Sequence, residues 1–129
     1  MAHHDRHFAM SYGLYAAPGA STDLATDRLV GWATDLDLPA DRWLRRLTRR
    51  SPDIRTSQLE AQHAAIRAGI GIGILPCFLA VGLQRIDTEA QMNETLWLVG
   101  HAQSSTKRVE LLRKEIISII EATKDRLAP

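Results

Sequence analysis

Apolar and polar positions change period several times along the chain, and each change marks an element. Residues 12–17 read as a strand whose tyrosines, Tyr12 and Tyr15, fall on opposite faces; Pro18-Gly19 closes it. A polar stretch, 21–28, leads to a second short strand at 29–32. After a turn ending at Pro39, Trp43, Leu44 and Leu47 recur at helical spacing, with Arg42, Arg45, Arg46, Arg49 and Arg50 on the other face. Ser51-Pro52 is expected to stop this helix.

A short extended piece, 53–56, precedes Ser57-Gln58-Leu59-Glu60, a capping-box pattern in which Ser57 accepts from an early amide and Glu60 reaches back. The alanine-rich helix behind it is predicted to end at Gly69 in a left-handed cap. Residues 70–76 are apolar on both faces and rich in β-branched side chains, the pattern of a strand covered on both sides. An edge strand at 83–86 and a strand at 95–101 follow. Ser104, Ser105 and Thr106 offer alternative caps for a last helix, 107 to about 126, with an apolar stripe of Val109, Leu112, Ile116, Ile119 and Ile120. Strands alternating with helices make this an α/β protein.

Composition narrows the function classes. The chain has 129 residues, 45% hydrophobic and 24% charged, with a formal net charge of +1. That balance suits one globular domain and supplies no overall attraction to nucleic acid or an anionic membrane. The arginine row therefore reads as a solvated helix face rather than a phosphate-binding strip. The single cysteine, Cys77, excludes an internal disulfide framework and favours a cytoplasmic setting. The longest apolar run, 70–81, is broken by Gly71, Gly73 and Pro76, so no membrane span is expected.

The segment Ala65-Ile66-Arg67-Ala68-Gly69-Ile70-Gly71-Ile72-Gly73-Ile74-Leu75-Pro76, entered through a serine-headed helix, resembles the effector-binding domain of LysR-type transcriptional regulators. Residues 12–18, Trp43-Leu44, 95–101 and Arg108-Val109 follow in the order that family shows. The resemblance implies a periplasmic-binding-protein-like architecture, in which two α/β lobes clasp a small molecule and two extended segments cross between them. Here 12–17 would be the outward crossing and 95–101 the return. The chain would then be mostly the second lobe (11–102), preceded by a flexible tail (1–10) and followed by a C-terminal helix (103–129). The helix-turn-helix and most of the first lobe would be missing, so no direct DNA binding is expected. The final helix would dock on the absent lobe, on a second copy or on an intact regulator.

By the same resemblance Trp32, Ala33 and Thr34 line an effector cleft. Thr56, Ser57 and Gln58 stand where a helix N-terminus can hold a carboxylate. Leu75 and Pro76 would shape the cleft floor. The simpler account is that Ser57 only caps and Trp32 only packs. The expected ligand is a small carboxylate, with no cofactor.

Other candidates carry less. His3, His4 and His7 lie in the expected tail and are not expected to hold a metal. The Gly69-x-Gly71-x-Gly73 spacing lacks the strand-before, helix-after context of a dinucleotide loop. Cys77, with His63 and His101, shows no nucleophile–base arrangement, so no enzymatic activity is expected.

Overall fold

A computed structural model describes residues 6–33, 37–88, 92–98 and 106–128. The chain divides into two compact units, one of them Tyr12–Met92; the other joins the described residues up to Ser11 with those from Asn93 onward. Strand β1 (Arg6–Ala16) runs through both. After it come β2 (Leu29–Trp32), α1 (Pro39–Thr48), β3 (Ile54–Thr56), α2 (Leu59–Arg67), β4 (Ile72–Pro76) and a single 3-10 turn (Cys77–Leu79). Strands β5 (Gln84–Ile86) and β6 (Asn93–Leu98) and helix α3 (Lys107–Leu127) complete the described chain.

In the Tyr12–Met92 unit the strand order is β3-β2-β4-β1-β5. Strands β3, β2 and β4 are parallel, with Val30 opposite Ile54 and Gly73, while β1 runs antiparallel to β4 and β5. Side chains alternate across the sheet. One face gathers Leu14, Ala16, Leu29, Ile72 and Ile74 with Leu44 of α1. The other gathers Tyr15, Val30 and Leu75 with Ile66 of α2. Strand β4 is buried throughout, as expected of a strand covered on both faces. Each fully buried Leu, Ile or Val here contributes at most about 1.5–3 kcal/mol.

Gly73, the glycine of β4, is required by close packing. A Cβ on Gly73 would lie 2.8 Å from the Val30 carbonyl oxygen, so the β2 backbone would have to shift, and 3.0 Å from Cδ1 of Ile66, which would have to give way on α2. Gly69 takes φ +79° and ends α2 as expected. Its N–H donates to the Ile66 carbonyl, and Ile70 N–H reaches the Ala65 carbonyl, which together make a Schellman cap.

Several expectations are corrected. Helix α1 ends before Ser51-Pro52, because Arg49 takes φ 56° and donates its N–H to the Arg45 carbonyl over 2.7 Å. Arg50 leaves the solvent face: Nη2 donates to the carbonyls of Leu24 (2.8 Å) and Asp27 (2.6 Å), tying down the 21–28 stretch. Ser57 does not cap α2. The N-cap is Gln58, which makes no side-chain cap bond, while the Thr56 hydroxyl accepts from Gln58 N–H at 3.1 Å. The local Thr56 turn outcompetes the capping box.

The second unit corrects the expected boundaries. Residues 6–10 are not a tail: they pair with β6, Phe8 opposite Leu96 and Met10 opposite Glu94, with both Phe8 and Met10 buried. Strand β6 belongs with α3 in this unit, and Arg6, at the start of β1, pairs with Glu121 of α3 at 2.6 Å. Thr106 is the N-cap of α3 and accepts from Val109 N–H at 3.2 Å. The apolar stripe of α3 is split. Ile116 and Ile120 are half-buried, as is Ile117, whereas Val109 (45%), Leu112 (59%) and Ile119 (57%) are exposed. Positions 99–105 lie outside the described residues, so the expected strand is seen only as far as Leu98.

Candidate functional site

Strands β3, β2 and β4 point their carboxyl ends toward one edge of the sheet. From β2 the chain proceeds to α1, which packs on the Leu29/Ile72/Ile74 face. From β4 it proceeds through Cys77 to Ala80, which pack with Val30 and Leu75 on the opposite face. Adjacent parallel strands whose outgoing connections diverge to opposite faces leave a crevice between them, the usual place for a ligand in an open α/β sheet.

Most of the residues singled out by the sequence stand along this edge. Trp32 ends β2, half-buried, with its N–H donating to Oδ1 of Asp41 (2.9 Å) and its carbonyl accepting from Arg55 Nη1 (3.3 Å). Ala33 N–H donates to the Thr56 carbonyl at 3.1 Å, so the ends of β2 and β3 are joined. Thr56 closes β3, and exposed Ser57 and Gln58 lead into α2. Thr34 lies outside the described residues. Pro76 ends β4 and is buried; Leu75 is wholly buried among Tyr15, Val30 and Ile66, where it supports the edge without reaching its surface.

Positive and negative groups share this edge. The first amides of a helix have no acceptor within it, and Gln58 supplies none from its side chain. The first in-helix donor is Gln62 N–H, to the Gln58 carbonyl at 3.3 Å. The amides of Leu59, Glu60 and Ala61 and the guanidinium of Arg55 thus present partial and full positive charge; the carboxylates of Glu60 and, beside Trp32, of Asp41 oppose them.

Two features escaped the sequence. Gln62 is 1% exposed on the sheet-facing side of α2, and its Nε2 has no hydrogen-bond partner among the described residues. Nothing in an alanine-rich helix signals which polar residue turns inward. Beside the end of β4, Arg85 Nη1 stands 4.0 Å from Cys77 Sγ, and Tyr15 lies across Gly13 within reach of the same sulfur. Burial pushes the Tyr15 hydroxyl up to about 12; the Cys77 hydrogen bond and charge add to the rise, and Arg85 opposes it. The pairing of Tyr15 and Arg85 across β1 and β5 brings this group together, a long-range register that local periodicity does not reveal.

His7 packs against Trp97, ring centroids 5.1 Å apart. No group of three or more metal-ligating side chains occurs among the described residues. No helix among them is long and apolar enough to cross a membrane. No protein-family model matches the chain, and comparison with curated proteins gives no match.

Proposed function

We propose that this chain is the effector-sensing part of a LysR-type regulator, binding a small carboxylate at the edge formed by Trp32, Thr56, Ser57 and Gln58. The diverging connections after β2 and β4 carry this reading, since they open that edge at a topological switch point. The chain's organisation is also compatible with it. Strand β1 leaves one unit for the other, and the chain returns at Met92–Asn93, with Tyr12 N–H donating to the Met92 carbonyl over 2.7 Å. Regulation then requires that the ligand bind two conformations of the protein with different affinity.

Thermal unfolding with a panel of small carboxylates tests the proposal. A ligand that binds the native state, at about 100 times its dissociation constant, adds about 2.7 kcal/mol. A ligand-specific rise in Tm that Ser57→Ala and Arg55→Gln both diminish is the expected result. A cooperative melt that no carboxylate moves would overturn it.

A second reading, an interaction module, is favoured by the exposed apolar face of α3, where Leu111 (60%) joins Val109, Leu112 and Ile119. Sedimentation equilibrium separates the two. Self-association abolished by Ile119→Asp, in a chain that no carboxylate stabilises, would establish this reading in place of sensing.

A further inference from the structure

At the opposite edge of the sheet from the candidate site, where β1 ends and β2 and β4 begin, lies a cavity of about 380 Å³. Its volume falls within the range of small-molecule sites. One wall is the 17–28 connection and the other is the corner from Gly69 to Ile72.

Both walls are held in place. Arg50 grips the Leu24 and Asp27 carbonyls, and Asp23 and Asp27 hold the turn through bonds from Asp23 N–H to Asp27 Oδ2 (2.7 Å) and from Ala25 N–H to Asp23 Oδ1 (2.9 Å). On the other side, Ile72 N–H donates to the Arg28 carbonyl at 2.9 Å, and a Cβ on Gly71 would approach that same oxygen to 2.7 Å. The cavity is thus part of the fold's fixed geometry.

Its lining has two characters. Ala17 and Ile70 contribute apolar surface, while Ser21, Thr22 and Thr26 contribute hydroxyls with no hydrogen-bond partner among the described residues. Asp27 and Arg28, consecutive in the chain and opposite in charge, also line it. The Asp27 carboxylate spends one oxygen on Asp23 N–H, and the Arg28 guanidinium has no acceptor among the described residues. A simple anion would meet Asp27 and a simple cation would meet Arg28, each at a cost. A molecule bearing both charges satisfies the two together.

The geometry points to a second binding site here, for a small α-amino acid whose carboxylate pairs with Arg28, whose ammonium pairs with Asp27 and whose short aliphatic side chain rests on Ala17 and Ile70. The hydroxyls of Ser21, Thr22 and Thr26 complete its hydrogen bonding. This site shares no residue with the Trp32–Gln58 edge and does not depend on the function proposed for it.

An amide-resolved NMR titration of the whole chain with norvaline tests the site, alongside pentanoate, which lacks the ammonium, and butylamine, which lacks the carboxylate. Saturable shifts at Thr22, Arg28, Ile70 and Gly71 are expected with norvaline, and binding about tenfold weaker or worse with either single-charge compound. Arg28→Gln, which removes only an exposed and unpaired side-chain charge, should weaken norvaline about tenfold. Ala17→Leu should fill the cavity and abolish the shifts. No saturable shift at these amides would overturn the proposal, as would equal binding of pentanoate and norvaline. Norvaline shifts confined to Trp32, Thr56 and Gln58 would also overturn it, and would assign the ligand to the other edge.

Discussion

The backbone N–H of Trp32 donates to Oδ1 of Asp41 over 2.9 Å, linking the end of β2 to the first turn of α1. The carboxylate also lies at the positive end of that helix. Gly31 makes this approach possible, since a Cβ there would stand 3.0 Å from Asp41 Oδ1 and 2.4 Å from the Pro52 ring. Asp41→Ala should cost about 1–2 kcal/mol in urea unfolding, from a half-buried amide left without its charged acceptor. Asp41→Asn keeps an acceptor and should lose less than half of that.

Arg50 holds two carbonyls of the 21–28 stretch and stands 3.8 Å from Asp53 Oδ2. Replacing it with alanine should destabilise the chain by about 2–3 kcal/mol, mostly through the two orphaned carbonyls. The single ammonium of Arg50→Lys cannot reproduce the fork and should recover only part of the loss. Hydrogen exchange should accelerate at Ala25, Thr26 and Asp27 before it does in β4. Unchanged exchange there would refute this account of Arg50.

Gln62 offers a test in the stabilising direction. Its buried Nε2 lacks a partner among the described residues, so Gln62→Met, close in volume and shape, should raise stability by about 1 kcal/mol. Chemical denaturation of the two chains side by side decides it. A loss of stability would mean that the Gln62 amide makes a bond that the described residues do not supply.

The Tyr15 hydroxyl sits near 12 in the folded chain against 10.0 when free, chiefly because burial disfavours the phenolate. Between these values the native state holds a proton that the unfolded state has lost, so stability falls as pH rises. The contribution is fully present below about pH 10. It declines by up to about 1.4 kcal/mol per unit through the window to about 12. Tyr15→Phe should flatten that part of the stability–pH curve, although the variant also loses the contact with Cys77. An equally steep alkaline decline in the variant would assign the effect to another group.

Much of the framework was legible in local pattern. The run after Gly69 announced a strand covered on both faces, Gly69 itself announced a helix end, and 29–32 and 107–126 were readable from period and caps alone. Those features depend on residues within a few positions of one another. The alternation of Phe8 and Met10 carried a strand signal too, but so short a one, preceded by histidines, reads equally well as a tail.

The sequence by itself determined that this is an α/β chain, and it determined which segments build the parallel strands and the helices that cover them, because burial periodicity, capping and glycine conformations are local. Only the tertiary structure decided which edge those strands open toward, that Arg50 and Gln62 turn inward, that Tyr15, Cys77 and Arg85 meet, and which side of α3 stays in water. Apolar residues surround more than one side of that helix, so its own period could not choose between faces. Strand order, register and the direction in which each connection leaves the sheet depend on pairing between distant segments. Those pairings place Trp32, Thr56, Ser57 and Gln58 along one edge and Asp27 and Arg28 along the other.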